Sequence, residues 1–281
     1  MTALAPAAVT RPAPSDSLRQ RLHEVTVLTR RNLLHIRREP LQLSDVTIQP
    51  VLFSLLFVYV FGSGVALPGG GSYKDFALSG LLALNLTTAA SGTAVGLATD
   101  INTGTIDRFR TLPMWRASML VGRSFSDILT AVLCLLFVAG TGLAIGWRPD
   151  ASAGGVVVGF ALPLLFAYAL TWVTACLGIL SADPESSQGL GLVLLFPLAI
   201  VSNAMVPTQG MPDVLQAIAD WNPVSAVVAA SRDQFGNPNP SASLDSWPMQ
   251  HPLAASLIWS LGIIAVFAPL AATLYTRRTR D

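Results

Sequence analysis

The sequence predicts an all-α membrane protein, and three observations predict it. Six stretches of the 281 residues are apolar and long enough to cross a bilayer, at about 46–64, 76–99, 120–146, 155–180, 189–206 and 253–275. A transmembrane helix needs roughly 20 mostly apolar residues to span about 30 Å of hydrocarbon. Hydrophobic residues make up 52 % of the chain and charged residues only 12 %, a balance that fits a membrane protein. The basic residues, finally, gather on one side of the predicted spans. Arg11, Arg19, Arg21, Arg30, Arg31, Arg37 and Arg38 precede the first span. Arg108, Arg110, Arg116 and Arg123 sit in or beside the loop after the second, and Arg277, Arg278 and Arg280 follow the last. That is 14 of the 17 basic residues, with only Lys74, Arg148 and Arg232 opposite. The positive-inside rule makes the richer face cytoplasmic, so both termini are expected there.

Residues 1–17 are rich in Ala and Pro and have no apolar run, so they read as a disordered cytoplasmic tail rather than a secretory signal. Residues 18–39 read as an amphipathic interfacial helix. Leu18, Leu22, Val25, Thr29, Leu33 and Ile36 share one stripe at 3.6-residue spacing, flanked by Arg19, Arg30 and Arg37. Such a stripe suits the inner membrane surface, or a face packed on a partner protein. Pro40 ends it. Residues 40–281 form the transmembrane domain. Most of its loops are short, but two are long: an inner loop at about 100–119 and an outer segment at 207–252. In the latter, 211–220 and Pro223–Phe235 have helical apolar faces (Val214, Leu215, Ile218; Val224, Val227, Val228). These are expected to be re-entrant or outer-leaflet helices, the alternative being a surface pair.

The motifs exclude several chemistries. The single lysine, Lys74, lies in an outer loop, so there is no P-loop and no nucleotide site in this chain. No HExxH, GxSxG or paired CxxC occurs. Cys134 and Cys176 lie within spans 3 and 4 and read as packing residues. Asp127 is the clearest ionisable residue inside a span. That scarcity argues against a proton-driven pump, which needs buried carboxylates or histidines. Energy therefore comes from outside the chain.

Two segments carry a resemblance. The inner loop runs Thr99-Asp-Ile-Asn-Thr-Gly-Thr-Ile-Asp-Arg-Phe-Arg-Thr-Leu-Pro-Met-Trp-Arg, followed by Gly122-Arg123. The second segment runs Leu195-Phe-Pro-Leu-Ala-Ile-Val-Ser-Asn-Ala-Met-Val-Pro, then Met211-Pro212, Asn222-Pro223-Val224-Ser225 and Arg232. Together they resemble the ABC-2 type transporter permeases. Phe61-Gly62, Asp107-Arg-Phe-Arg and Trp147-Arg-Pro-Asp are similar to the daunorubicin/doxorubicin-resistance permeases within that family. Where many relatives carry Glu, this chain has Asp100, which keeps the charge at shorter reach.

The resemblance implies a half-transporter: a homodimer, or a pair with a related permease chain, binding two copies of a separate ABC ATPase. ATP and Mg would bind that partner, with no cofactor, metal or catalytic residue in this chain. The implied coupling loop comprises Asp100, Gly104, Thr105, Asp107, Arg108, Arg110, Leu112 and Pro113, although its arginines also suit topology and anionic lipid alone. The expected function is an exporter in the bacterial cytoplasmic membrane, moving an amphipathic drug, antibiotic or lipid by alternating access. The alternatives are a permease for polysaccharide or cell-wall glycolipid, and a membrane-embedded enzyme. Membrane lipids are expected contacts and nucleic acid is not. A cargo path is expected along Asn85, Thr88, Ser202 and Asn203, with aromatic contacts from Phe53 and Phe57. The polar stripe of span 2 fits hydrogen bonding between helices equally well.

The predicted topology has a direct check. Single cysteines at 213 and 245, in a background without Cys134 and Cys176, should react with an impermeant maleimide in intact cells, and one at 107 should not. The reverse labelling pattern is incompatible with the charge argument.

Overall fold

The computed structural model describes residues 18–38, 40–62, 64–105 and 118–278, with side chains for all of these except 35–38 and 40–42. Among the described residues every regular element is helical. In chain order they are α1 (Leu18–Arg38), α2 (Pro40–Leu56, continued by a π-helical turn Phe57–Phe61), α3 (Tyr73–Ala89), α4 (Ser91–Asn102), α5 (Ser118–Ala144), α6 (Ala153–Leu180), α7 (Pro184–Ile200), α8 (Asp213–Trp221), α9 (Pro223–Phe235), α10 (Trp247–Gln250) and α11 (Pro252–Arg278). Among the described residues, five helical runs are long and apolar enough to cross a membrane: Leu43–Phe61, Tyr73–Asn102, Ser118–Ala144, Ala153–Leu180 and Pro252–Arg278. The expected tail at 1–17 lies outside the described residues.

The second expected span is one helical run, with α3 giving way to α4 at Ala90, whose φ −60° and ψ −22° stay in the right-handed helical region. Thr174 of α6 donates its hydroxyl to Ala90 O at 2.8 Å from a neighbouring helix. One expectation changes. The segment expected as a helix over 189–206 is helical only to Ile200. It then runs irregularly through 201–206, so α7 is a 17-residue helix. Pro197 within α7 accounts for part of this, because its missing N–H and its ring weaken the last turn.

The helix starts follow elementary capping chemistry. Ser152, Asp183 and Asn222 accept backbone N–H bonds from Gly155 (3.2 Å), Ser186 (2.7 Å) and Val224 (2.8 Å). Pro184 and Pro223 occupy first-turn positions, where no N–H is missed. Gly236 closes α9 in the left-handed region at φ 67°.

Helix α6 is the spine. Its Ala167, Phe166 and Leu170, and Cys176 and Ile179 belong to three successive apolar clusters along the bundle. Close approach to α4 depends on Gly178, where an added Cβ would lie 2.5 Å from Ala94 O. The outward faces of α2, α5, α7 and α11 expose Leu52, Leu136, Val193 and Ile258, large apolar groups that water would not favour.

The bundle has two chemically distinct ends. One holds α1, the α4–α5 junction, the α6–α7 turn and the end of α11. The other holds α8, α9 and the turn where Lys74 donates to Gly146 O at 3.0 Å. Gly178→Ala should lower thermal stability in detergent by about 1–3 kcal/mol through overpacking. Gly140→Ala, where nothing lies within 4 Å of the added methyl, should be neutral or stabilising. Equal melting shifts for both would contradict this packing account.

Candidate functional site

At the first end, α1 holds both roots of the long loop between α4 and α5. Arg31 pairs with Asp100 at 2.7 Å, at the end of α4. Thr29 donates to Gly122 O at 3.1 Å near the start of α5, where a Cβ on Gly122 would stand 2.8 Å from that of Leu28. The expected apolar stripe of α1 is therefore divided. Val25 of that stripe is buried against α5 together with Leu28, which was not part of it, while Leu18 and Leu22 remain exposed. Arg278 of α11 reaches Ile179 O and, at 2.9 Å, Ser181 O, which ties the end of the last helix to this same end.

Of the expected coupling residues, Asp100 is the partner of Arg31, Gly104 takes a left-handed φ of 64°, and Thr105 shares a 2.9 Å hydroxyl bond with Thr103. Asp107, Arg108, Arg110, Leu112 and Pro113 lie outside the described residues.

One turn above these roots, a second polar cluster joins α4 to α5. Thr93 donates to Asp127 Oδ2 at 2.8 Å, and Arg123 Nε lies 3.4 Å from Asp127 Oδ1. Arg123 Nη2 donates to Gly92 O at 3.0 Å, and the guanidinium rests where a side chain on Gly96 would stand.

The opposite end is organised around the irregular chain at 201–206. A backbone outside helical geometry must find donors and acceptors from other elements when water is absent. Ser202 Oγ donates to Ala199 O at 2.6 Å and accepts the Ala204 N–H at 3.2 Å. Asn203 donates its backbone N–H to Ser225 Oγ at 3.0 Å and its amide to Ser241 Oγ at 2.9 Å. Asn222 Nδ2 donates to Leu198 O and Val201 O, and Tyr73 Oη donates to Met205 O at 3.1 Å. The segment passes so close to α3 that a Cβ on Gly80 would lie 1.8 Å from Ala204 O.

Arg232 completes the arrangement from α9. Its side chain is fully buried. Nη2 donates to Asn203 O and Ala204 O, each at 3.0 Å, and Nε donates to Phe76 O at 3.2 Å. The guanidinium carbon sits 3.6 Å from the Phe76 ring centroid, a cation–π contact. Among the described residues no carboxylate is within ion-pair distance; the neighbouring Asp233 accepts instead from Asn239 Nδ2 at 2.8 Å. Sequence reasoning counted Arg232 only as an outer-face charge and a family match. The available signal was its setting: one arginine directly after the run of small and apolar residues Val224–Ser231.

The expected cargo residues fall into two groups. Phe53 and Thr88 are exposed, and Phe57 stacks with Phe61 at 5.2 Å. Asn85, Ser202 and Asn203 are buried, with Asn85 Nδ2 donating to Leu81 O at 2.8 Å in its own helix. Among the described residues no group of three His, Cys, Asp or Glu is placed to hold a metal ion.

The model of the ABC-2 type transporter family matches residues 23–235, from α1 through the end of α9. The chain belongs to the ABC-2 type transporter family. Relatives of this ABC-2 chain agree. The daunorubicin resistance ABC transporter permease protein DrrB1 of Streptomyces coeruleorubidus is 34 % identical over 248 residues, covering 88 % of this chain and 84 % of the relative. A probable doxorubicin resistance ABC transporter permease protein, DrrC, of Mycobacterium tuberculosis is 25 % identical over 263 residues, covering 92 % and 91 %. A putative transport permease, ycf38, of Porphyra purpurea is 27 % identical over 220 residues, covering 77 % and 75 %. The ABC-2 membrane domain thus includes both the Arg31–Asp100 contact and the Arg232 centre.

Arg232→Ala would strip donors from the carbonyls of Phe76, Asn203 and Ala204 and leave a cavity. It should destabilise the domain by on the order of 3 kcal/mol or more. Arg232→Lys should rescue only part of the loss, because an ammonium cannot reproduce the planar fork. Thermal unfolding of the detergent-purified chain followed by size-exclusion fluorescence measures both. A melting curve for the alanine variant that matches the parent would show that the guanidinium is dispensable.

Proposed function

We propose that the chain is the membrane-spanning subunit of an ATP-driven exporter that carries an amphipathic drug, antibiotic or lipid out of the cell. The observation that carries the reading is the ABC-2 match across 23–235, joined to 34 % identity with a permease named for daunorubicin resistance. ATP and Mg bind a separate ABC ATPase, present in two copies against a dimer of permease chains. The reading fits the absence of a P-loop in this sequence.

In this proposal α7 and the 201–206 segment together make the fifth of six crossings, and α8 and α9 lie at outer-leaflet depth. Both termini are cytoplasmic, in the bacterial cytoplasmic membrane. Three features of the loop end support a coupling role there. The loop is the long connection on the arginine-rich side, its polar residues suit a soluble partner, and both roots are clamped by α1. A push on the loop is then delivered to α4, α5 and α1 together. Transport proceeds as two packings of the bundle, one open inward and one outward, whose balance the ATPase shifts. The cargo path runs along the exposed Phe53 and Thr88 rather than through the sealed Asn85, Ser202 and Asn203.

The double substitution Arg108→Glu with Arg110→Glu tests coupling. Removing one partner of a buried charged hydrogen bond costs about 2–5 kcal/mol, and reversal costs no less. Membrane insertion should be unchanged, because the arginines before α2 still set orientation. Co-purification with the ATPase and dye efflux should both be lost. A double variant that inserts, co-purifies and transports as the parent does would make these arginines purely topological.

A further inference from the structure

Helix α1 clamps the long loop with one face and leaves the opposite face bare. Val25 and Leu28 are buried on the clamping side. Arg19, His23, Thr26 and Arg30 recur at i, i+4, i+7 and i+11, which places them on one stripe, and all four are exposed. Leu22 borders that stripe on one side, and Val27 and Leu34 border it on the other; these three are exposed as well. Glu24, the one acid of α1, lies off the stripe and accepts from Gln20 at 3.4 Å. Among the described residues no carboxylate is within ion-pair distance of Arg19 or Arg30. The bare face is therefore basic along its centre and apolar along both edges, which differs from the single apolar stripe that spacing alone suggests.

Two connections fix the depth of this face. Helix α1 ends at Arg38 and the first membrane-long run begins at Leu43, so the end of α1 stands only a few residues from a span. Thr29, in the middle of α1, donates to Gly122 O, in the second turn of the run Ser118–Ala144. The centre of α1 thus lies level with the start of a span. Phe125, about one turn further along α5, is an exposed ring that hydrocarbon covers better than water. At that level a basic stripe with apolar rims matches a phospholipid. Guanidinium groups meet phosphate oxygens, and the rims meet the first methylenes of the chains. Depth is what favours lipid over a soluble protein, because the rims stand where acyl chains begin.

We propose that the stripe Arg19, His23, Thr26 and Arg30 is a docking surface for anionic phospholipid headgroups. Headgroups held there fix α1, and with it both roots of the long loop, at the membrane surface. The proposal needs the arginine-rich end of the chain to meet a bilayer. It does not depend on what is exported or on an ATPase.

The test uses the full chain in phosphatidylcholine nanodiscs, with Thr26→Cys carrying a fluorophore in a background without Cys134 and Cys176. Nitroxide-labelled phosphatidylglycerol or phosphatidylcholine is titrated in as the quencher. The glycerol lipid should quench at about a tenfold lower mole fraction than the choline lipid, since two arginines near an anionic surface supply at least that preference. Arg19→Gln with Arg30→Gln should abolish the preference at an unchanged melting temperature, both side chains being exposed. Salt at about 1 M should also reduce it in the parent, which keeps the test open if the double variant folds poorly. Equal quenching by the two lipids in the parent, or none by either, overturns the proposal. So does a preference that survives both the double substitution and high salt. Quenching that disappears when a co-expressed ABC ATPase is bound would assign the face to a protein partner and overturn it too. No step requires ATP or cargo, so failure of the export reading leaves every outcome readable.

Discussion

A buried carbonyl that leaves helical geometry has no water to turn to, and in this chain a buried guanidinium answers that need. Arg232 gathers Phe76 O, Asn203 O and Ala204 O from two separate segments and stacks on the Phe76 ring. Burying a charge costs several kcal/mol unless its hydrogen bonds are made. The cost is offset in part by acceptors from the 201–206 chain and from Phe76, while Nη1 is buried without a hydrogen-bond partner. The dependence is mutual: without the irregular segment the guanidinium keeps only Phe76 O, and without the guanidinium the carbonyls of Asn203 and Ala204 lose a donor. The buried length of α9, the close pass of Ala204 over Gly80 and the caps from Asn222 all follow from holding that segment in place.

The other end of the bundle is built on different physics. Its contacts are ion pairs and hydroxyl bonds between partly exposed helices: Arg31 with Asp100, Thr29 with Gly122 O, Arg123 with Asp127. Such contacts are individually weak and break readily near water. A tightly sealed far end and a more loosely bonded loop end suit a subunit that receives a mechanical input from one side. The small residues Gly96, Gly122 and Gly178 let the helices at this end approach closely enough for short side chains to bridge them.

Much of this was legible in the sequence because bilayer thickness imposes length and polarity on each span. The helix Pro223–Phe235 was bounded correctly, since Asn222-Pro223 and Gly236 are local chemical signals. Helix α1 was also recovered to within a residue of its end. The contact at Ala90 was not legible, because its donor, Thr174, lies far away in the chain. The early end of α7 was not legible either, because the residues 201–206 are as apolar as a helix and are held out of helical form by distant donors. Among candidate site residues, type and spacing drew attention to Asn85, Ser202 and Asn203. Their hydrogen-bond partners lie within the chain, which only three-dimensional packing reveals. The loop residues from Asp107 to Pro113 fall outside the described segments, so the family resemblance supports them and geometry adds nothing.

The central claim is that this chain moves an amphiphile only when a separate ATPase drives it. Proteoliposomes containing the permease with a co-expressed ABC ATPase, given external ATP and doxorubicin, measure that directly. The account predicts accumulation of the drug inside vesicles, dependent on both ATP hydrolysis and the permease, and none with either subunit alone. Accumulation by the permease without ATPase, or ATP-driven accumulation unaffected by omitting the permease, would contradict it.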